Sequence, residues 1–289
     1  MVVAAPLALL LAFLPSPPSP VAFEVGSFAL SYYGLFIALG IAVGTWLTGR
    51  ELERRGLDGT LALEALLFVV PLGVIGARLD YVATEYDAQF AVHSTSIVQV
   101  WNGGLGIYGA VAGGFLGALL FAWVRGLSVL AFADAAAPGV VLGQGVGRWG
   151  DYFIQKLFGE PSMLPWAIRI SPENRPAEFA DAQTFHPAFL YELLWDVLVC
   201  LLLLWVAHRF AQRLRDGDVF LLYLILYSVG YILIVGTLRV DPTLFVVWGS
   251  VRGDLVVAGV LAFGSALILF LRHIFSPRGR SKGRKIGAT

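Results

Sequence analysis

Arg148 and Asp151 stand three residues apart in GQGVGRWGDYFIQ, residues 143–155, directly after one of the most apolar stretches of the chain. An arginine carries a permanent charge and a forked set of donors that suits a phosphodiester. On a helix, a carboxylate three residues on shares its face and can hold the guanidinium in place. A second group lies in TFHPAFLYELLWDVL, residues 184–198, where His186 precedes a proline suited to the first turn of a helix. Tyr191 and Glu192 follow at the start of an apolar run, where an ionisable residue is by default functional or paired. In the third, WNGGLGIYGAVAGG at residues 101–114, Gly103 and Gly104 leave backbone N–H groups open at a helix start, a natural anion seat. Tyr108 adds a hydroxyl that can donate to a phosphate, accept from a thiol, or merely mark an aromatic belt. The competing reading is structural: local pairs of Arg78 with Asp80, Arg148 with Asp151, Arg239 with Asp241 and Arg252 with Asp254, and glycines that let helices approach closely.

The elements that carry these residues belong in a membrane. Of 289 residues, 58% are hydrophobic and only 14% charged, which excludes an ordinary soluble domain. A span needs about 20 mostly apolar residues. Seven segments meet this, near Ala29–Thr48, Leu61–Tyr81, Gly104–Trp123, Leu130–Val146, Pro187–Ala207, Val219–Thr237 and Asp254–Leu271. The expected fold is therefore all-α, a polytopic membrane protein of about seven transmembrane helices. Residues 1–28 read as an N-terminal arm or a leader, and 272–289 as a basic tail. Cys200, the only cysteine, sits in DVLVCLLLLW and reads as a small apolar filler, which excludes an internal disulfide and a cysteine-built metal site.

Of the 20 Lys and Arg residues, 13 fall in the loops and tail that share one side of such a bundle. The positive-inside rule then puts the C-terminus in the cytoplasm and the N-terminus outside. The seven remaining cations, Arg148, Lys156 and Arg239 among them, gather on the outer side, several against apolar spans where burying a charge is costly. An anion shared among them is one explanation. The longest polar stretch, residues 151–186, lies on the same side and reads as a small extracytoplasmic cap. Zero net charge does not point to nucleic acid. No nucleophilic triad, phosphate loop or metal-ligand cluster is legible, so the residues alone fit a lipid-head-group enzyme and a transporter equally well.

In order along the chain, these stretches resemble the prolipoprotein diacylglyceryl transferase family. SYYGLFIALG is similar to its first-span motif, WNGGLGIYGAVAGG to its third, GVGRWGDYF to its signature, LPWAIRI to a loop landmark, FHPAFLYELLWD to its fifth-span start and LRVDP to the stretch after the sixth. The resemblance runs from about Phe28 to Leu271. It implies a seven-span body with an outward cap and no metal or organic cofactor. The implied reaction moves the diacylglyceryl group of phosphatidylglycerol to the lipobox cysteine of a pre-lipoprotein signal peptide, forming a thioether and releasing glycerol 1-phosphate. By position, Arg148 matches the arginine that holds the donor phosphate. Tyr33, Tyr108 and Tyr227 match site tyrosines, with Tyr108 where some members carry histidine, and Gly103, Gly104 and Gly159 match backbone positions.

The chain also departs from that pattern. Asp151, Ile154 and Lys156 replace the usual asparagines and acidic residue of the signature. Tyr231 and Val235 stand where the sixth span usually has an arginine and, four residues on, a glutamate. Arg239 lies about one residue from a later arginine of the motif. One expectation is an active transferase in which Tyr108, Arg148 and Arg239 act on the donor, with Lys156 sharing its phosphate and Tyr33, Gly103, Gly104, Asp151, His186, Tyr191, Glu192 and Tyr227 binding substrate. The alternatives are a relative that binds anionic lipid or a lipoprotein precursor without transfer, and a transporter.

Overall fold

A computed structural model describes residues 17, 19–26, 28–85, 97–99, 103–240, 246–248 and 251–275. Among them are seven helices long and apolar enough to cross a membrane. They are α1 (Tyr32–Arg54), α2 (Leu61–Glu85), α3 (Ile107–Val124), α4 (Val129–Phe153), α5 (Ala188–Arg209), α6 (Asp218–Leu238) and α7 (Gly253–Phe275). Short antiparallel pairs precede and interrupt them: β1 (Val21–Val25) with β2 (Phe28–Ser31), β3 (Ile168–Arg169) with β4 (Thr184–Phe185), and β5 (Val246–Trp248) with β6 (Val251–Arg252). The number of spans matches the hydropathy reading. The β1–β2 hairpin covers the last eight residues of the segment read as an arm or leader; residues 1–16 and the tail from 276 onward lie outside the described residues.

Two helix ends differ from the sequence reading. α4 was expected to stop at Val146 but continues through the charged signature to Phe153. Arg148 and Asp151 form no helix-breaking signal, and the turn comes only where Gln155 and Leu157 adopt positive φ of 50° and 54°. α3 starts at Ile107, three residues later than expected. Gly103 and Gly104, with φ of +83° and +75°, form an extended turn before it that side-chain-bearing residues adopt only with strain.

The described chain forms two compact units. One contains residues 34–147 and 200–220. Its helices approach through glycine. Gly40 and Gly44 on α1 face Gly143 and Gly139 on α4, and Gly76 on α2 faces Gly109 on α3, so closely that a Cβ at any of them would overlap opposing backbone. Glycines four apart place this small surface on one face, and such contacts hold helices together where lipid removes the hydrophobic incentive. A buried aliphatic and aromatic cluster of Leu52, Phe121 and Phe132 closes one part of the unit. Asp134, fully buried on α4, accepts the N–H groups of Gly217 and Phe220 at 2.8 Å each and so caps the start of α6.

The other unit holds the described residues up to Tyr33, then 148–199 and those from 221 onward. The segment between α4 and α5 has its own core of Tyr152, Phe158, Ile168, Ile170, Phe185 and Phe189. Backbone hydrogen bonds lay residues 158–160 between β4 and the end of α6. Gly159 N–H donates to His186 O at 2.8 Å, and Glu160 N–H donates to Leu238 O at 2.8 Å. Gly159 and Arg239 form a bridge at that seam, where a side chain at Gly159 would meet Leu238 O and the His186 Cβ. The segment thus anchors the stretch that carries Arg239.

Candidate functional site

Three helices of the second unit bring charge together. α4 supplies Arg148 and Asp151, and α5 supplies Glu192 and Asp196, four residues apart and hence on one face. α6 supplies Tyr227 and Tyr231, also one turn apart. Arg148 Nη2 meets Glu192 Oε2 at 2.7 Å, while Nη1 is 3.8 Å from Asp151 Oδ2. The local α4 pair expected from sequence therefore exists, but the tighter partner is Glu192 across on α5. A contact of 2.7 Å between charged groups is the short, charge-assisted kind. Glu192, Asp196 and Asp151 are all buried, with Asp196 only 2% exposed.

A narrow cavity opens among Glu192, Trp195, Asp196, Tyr227, Tyr231 and Ile234. The space open to the centre of a water molecule is about 10 Å³, enough for one water-sized group. Tyr227 lies within electrostatic reach of Arg148, Asp196, Glu192 and Arg239, and Tyr33 within reach of Asp151 and Arg148. The expected site residues Arg148, Asp151, Glu192, Tyr33, Tyr227 and Arg239 thus belong to one charged neighbourhood. Gly150 packs against the backbone and ring of Tyr33, which fixes that tyrosine beside the signature helix.

The two sixth-span departures have a local explanation. The Tyr231 hydroxyl donates to Asp254 Oδ2 at 2.9 Å, and the same oxygen receives Arg252 Nη2 at 2.6 Å. Arg252 Nη1 also donates to the carbonyl of Val235 at 3.3 Å. A charge pair at the start of α7 therefore contacts both positions at which the sixth span lacks charge. The sequence reading had Arg252 and Asp254 as a local pair but missed this connection to α6. It missed Asp196 altogether, although an acidic residue one turn after Glu192 in an apolar run was the available signal.

The other expected residues make contacts of their own. Tyr191 accepts a hydrogen bond from Trp166 Nε1 at 2.8 Å and meets His186 Nδ1 at 3.1 Å, a brace between the loop segment and the start of α5. Lys156 is exposed in the turn after α4. In the first unit, Arg78 donates to the carbonyls of Gly103 and Gly104 at 2.7 and 2.9 Å, and Asp80 Oδ2 accepts the N–H of Gly109 at 3.0 Å. The glycine turn thus offers its carbonyls to an arginine, and an N–H at the start of α3 is taken by a carboxylate of the protein itself. Tyr108 is 40% exposed on α3. Trp101, Asn102 and Asp241 lie outside the described residues.

Seven helices long and apolar enough to cross a membrane, with an arginine paired to carboxylates on its own and a neighbouring helix, define a polytopic membrane protein with a charged side-chain cluster. The chain belongs to the prolipoprotein diacylglyceryl transferase family, whose model matches residues 20–271. It is 47% identical over 234 residues to a protein of Frankia alni named phosphatidylglycerol--prolipoprotein diacylglyceryl transferase, covering 80% of this chain and 60% of that protein. A Streptomyces coelicolor protein with that name and the number 2 is 43% identical, covering 76% and 69% respectively. A Mycobacteroides abscessus protein of the same name is 37% identical, covering 96% and 83%. The chain spans 60% and 56% of the lengths of the two Frankia relatives it matches.

Proposed function

We propose that this chain transfers the diacylglyceryl group of phosphatidylglycerol to the thiol of the lipobox cysteine of a pre-lipoprotein, forming a thioether and releasing glycerol 1-phosphate. The observation that carries the reading is Arg148, a guanidinium held among membrane helices by Glu192 at 2.7 Å in a chain of this family. In this reading the forked donors of Arg148 bind the donor phosphate, and Arg239, within reach of Tyr227, adds a second positive charge. Fixed positive charge at the phosphate stabilises the departing group as the sulfur–carbon bond forms and the carbon–oxygen bond breaks. Tyr33 and Tyr227 line the head group, Lys156 contributes from the exposed turn, and Tyr108 acts from the third span. The protein lies in the bacterial inner membrane with the N-terminus outside, residues 151–186 as an outward cap and the basic tail in the cytoplasm, as the distribution of arginine and lysine supports.

The second reading, a lipid-binding relative without transfer, rests on Tyr231 and Val235, uncharged residues where the family usually carries an arginine and a glutamate. One experiment separates them. Purified protein and its Arg148→Ala variant are incubated with phosphatidylglycerol and a lipobox peptide, and thioether product is followed by mass. Product from the parent protein that vanishes in the variant supports the transferase. Folded parent protein that binds phosphatidylglycerol and forms no product supports the second reading and overturns the first.

A further inference from the structure

The segment between α4 and α5 carries charge at short intervals except in one place. Residues 161–168, PSMLPWAI, form its longest uncharged run, bounded by Glu160 and Arg169. Ile168 joins the core of the segment, but the start of the run turns outward. Met163 is 100% exposed and Leu164 39% exposed, and Pro161 and Pro165 beside them are exposed as well. Hydrogen bonds hold this tip out. Ser162 N–H donates to Thr184 O at 2.9 Å and the Thr184 hydroxyl donates to Ser162 O at 2.7 Å, while Ala167 N–H closes the turn on Leu164 O at 3.0 Å. Contiguous apolar side chains fixed in an exposed position, rimmed by charge, mark a contact surface.

One contact sets the height of the tip against a span. Trp166 Nε1 donates to the Tyr191 hydroxyl at 2.8 Å, and Tyr191 is the fourth residue of α5. α5 has 22 residues and so is about 33 Å long, against an apolar bilayer layer of about 30 Å. Its last turn carries His208 and Arg209, so its first turn falls at the opposite edge of that layer. Trp166 and Tyr191 are the residue types enriched at such an edge. We propose that the turn 161–165 dips into the lipid leaflet that α5 enters first, with Met163 and Leu164 at the boundary between head groups and acyl chains. The shape selects lipid over a peptide. A bound peptide needs a groove or pockets for its side chains, whereas a fully exposed methionine is a knob, around which lipid packs. Such a seat on the membrane is independent of the transfer reaction.

The test uses the full chain carrying Cys200→Ala, reconstituted in vesicles of phosphatidylcholine and phosphatidylglycerol, with a fluorophore attached through Met163→Cys. The reference is the same label attached through Glu173→Cys, an exposed charged position in the same segment. Iodide in the water should quench the label at position 163 at least about tenfold less than at 173, because an ion is costly to bring into the apolar layer. Nitroxide carried on the acyl chains should quench it at 163 and not at 173. Adding Leu164→Asp should bring iodide quenching at 163 to within about twofold of the reference, since a charge is expelled from that layer. The melting temperature in detergent should hold, because the substituted side chain lies on the surface. Leu164→Cys paired with Met163→Asp serves as the second set if the first does not fold. Equal iodide quenching at 163 and 173 overturns the proposal. So does protection at 163 that arises only when a lipobox peptide is added, which would make the turn a peptide-docking surface. Thioether formation by protein whose position 163 is open to water would sink the membrane seat and leave the transfer reading standing. A lipid-seated tip on protein that transfers nothing would do the reverse.

Discussion

Removing either member of the Arg148–Glu192 pair should destabilise the protein unequally. Breaking a buried ion pair from one side costs about 3–5 kcal/mol, because the remaining charge is left uncompensated. In Glu192→Ala, Arg148 still has Asp151 at 3.8 Å. Coulomb attraction falls inversely with distance, so Asp151 retains about 0.7 of what Glu192 supplies at 2.7 Å, and the loss should lie near the lower figure, about 3 kcal/mol. Arg148→Ala instead strands Glu192 and Asp151 beside Asp196 and should cost about 5 kcal/mol. The double variant removes both charges and should fall short of the sum by about 2 kcal/mol, the coupling expected of residues in direct contact. Reversible unfolding in detergent micelles measures all three. Single losses below about 1 kcal/mol that add within about 0.5 kcal/mol would refute the buried-pair argument.

Other consequences are separately measurable. Asp134→Ala leaves the N–H groups of Gly217 and Phe220 without their acceptor and should cost about 2–6 kcal/mol, or about 1–3 for each buried donor, read by the same unfolding assay. Gly109→Leu pushes a side chain into the backbone of α2 at Gly76 and should lower the melting temperature and the yield of monodisperse protein, as overpacking of a tight helix contact does. Tyr231→Phe removes one hydrogen bond to Asp254 while Arg252 keeps its own; the expected loss is about 1 kcal/mol of stability. Under the proposed function, Lys156→Ala should reduce transfer by about fivefold or less, because the ammonium is solvent-exposed. A larger fall would place Lys156 directly on the phosphate.

The sequence by itself determined the membrane class, the number of spans and which residues carry charge into apolar surroundings, because these depend on composition and on runs along one chain. It also singled out Arg148 and Glu192, since an ionisable residue in an apolar run stands out against its neighbours, whereas Tyr227 was pointed to only by the family resemblance. Partnership was a different matter. Sequence proximity favoured Asp151 as the partner of Arg148, yet the closer carboxylate is Glu192, 44 residues away. Likewise Tyr231 and Val235 looked only like losses of charge, while folding brings Arg252 and Asp254 of α7 against both. Charge usually marks the interface, so the signature reads as a span end in the sequence; in the folded chain it is the last two turns of α4, with carboxylates from α4 and α5 beside Arg148. Charge in an apolar segment is a local property and can be read residue by residue. What compensates it depends on which helices meet and at what rotation, and only the tertiary structure decides that.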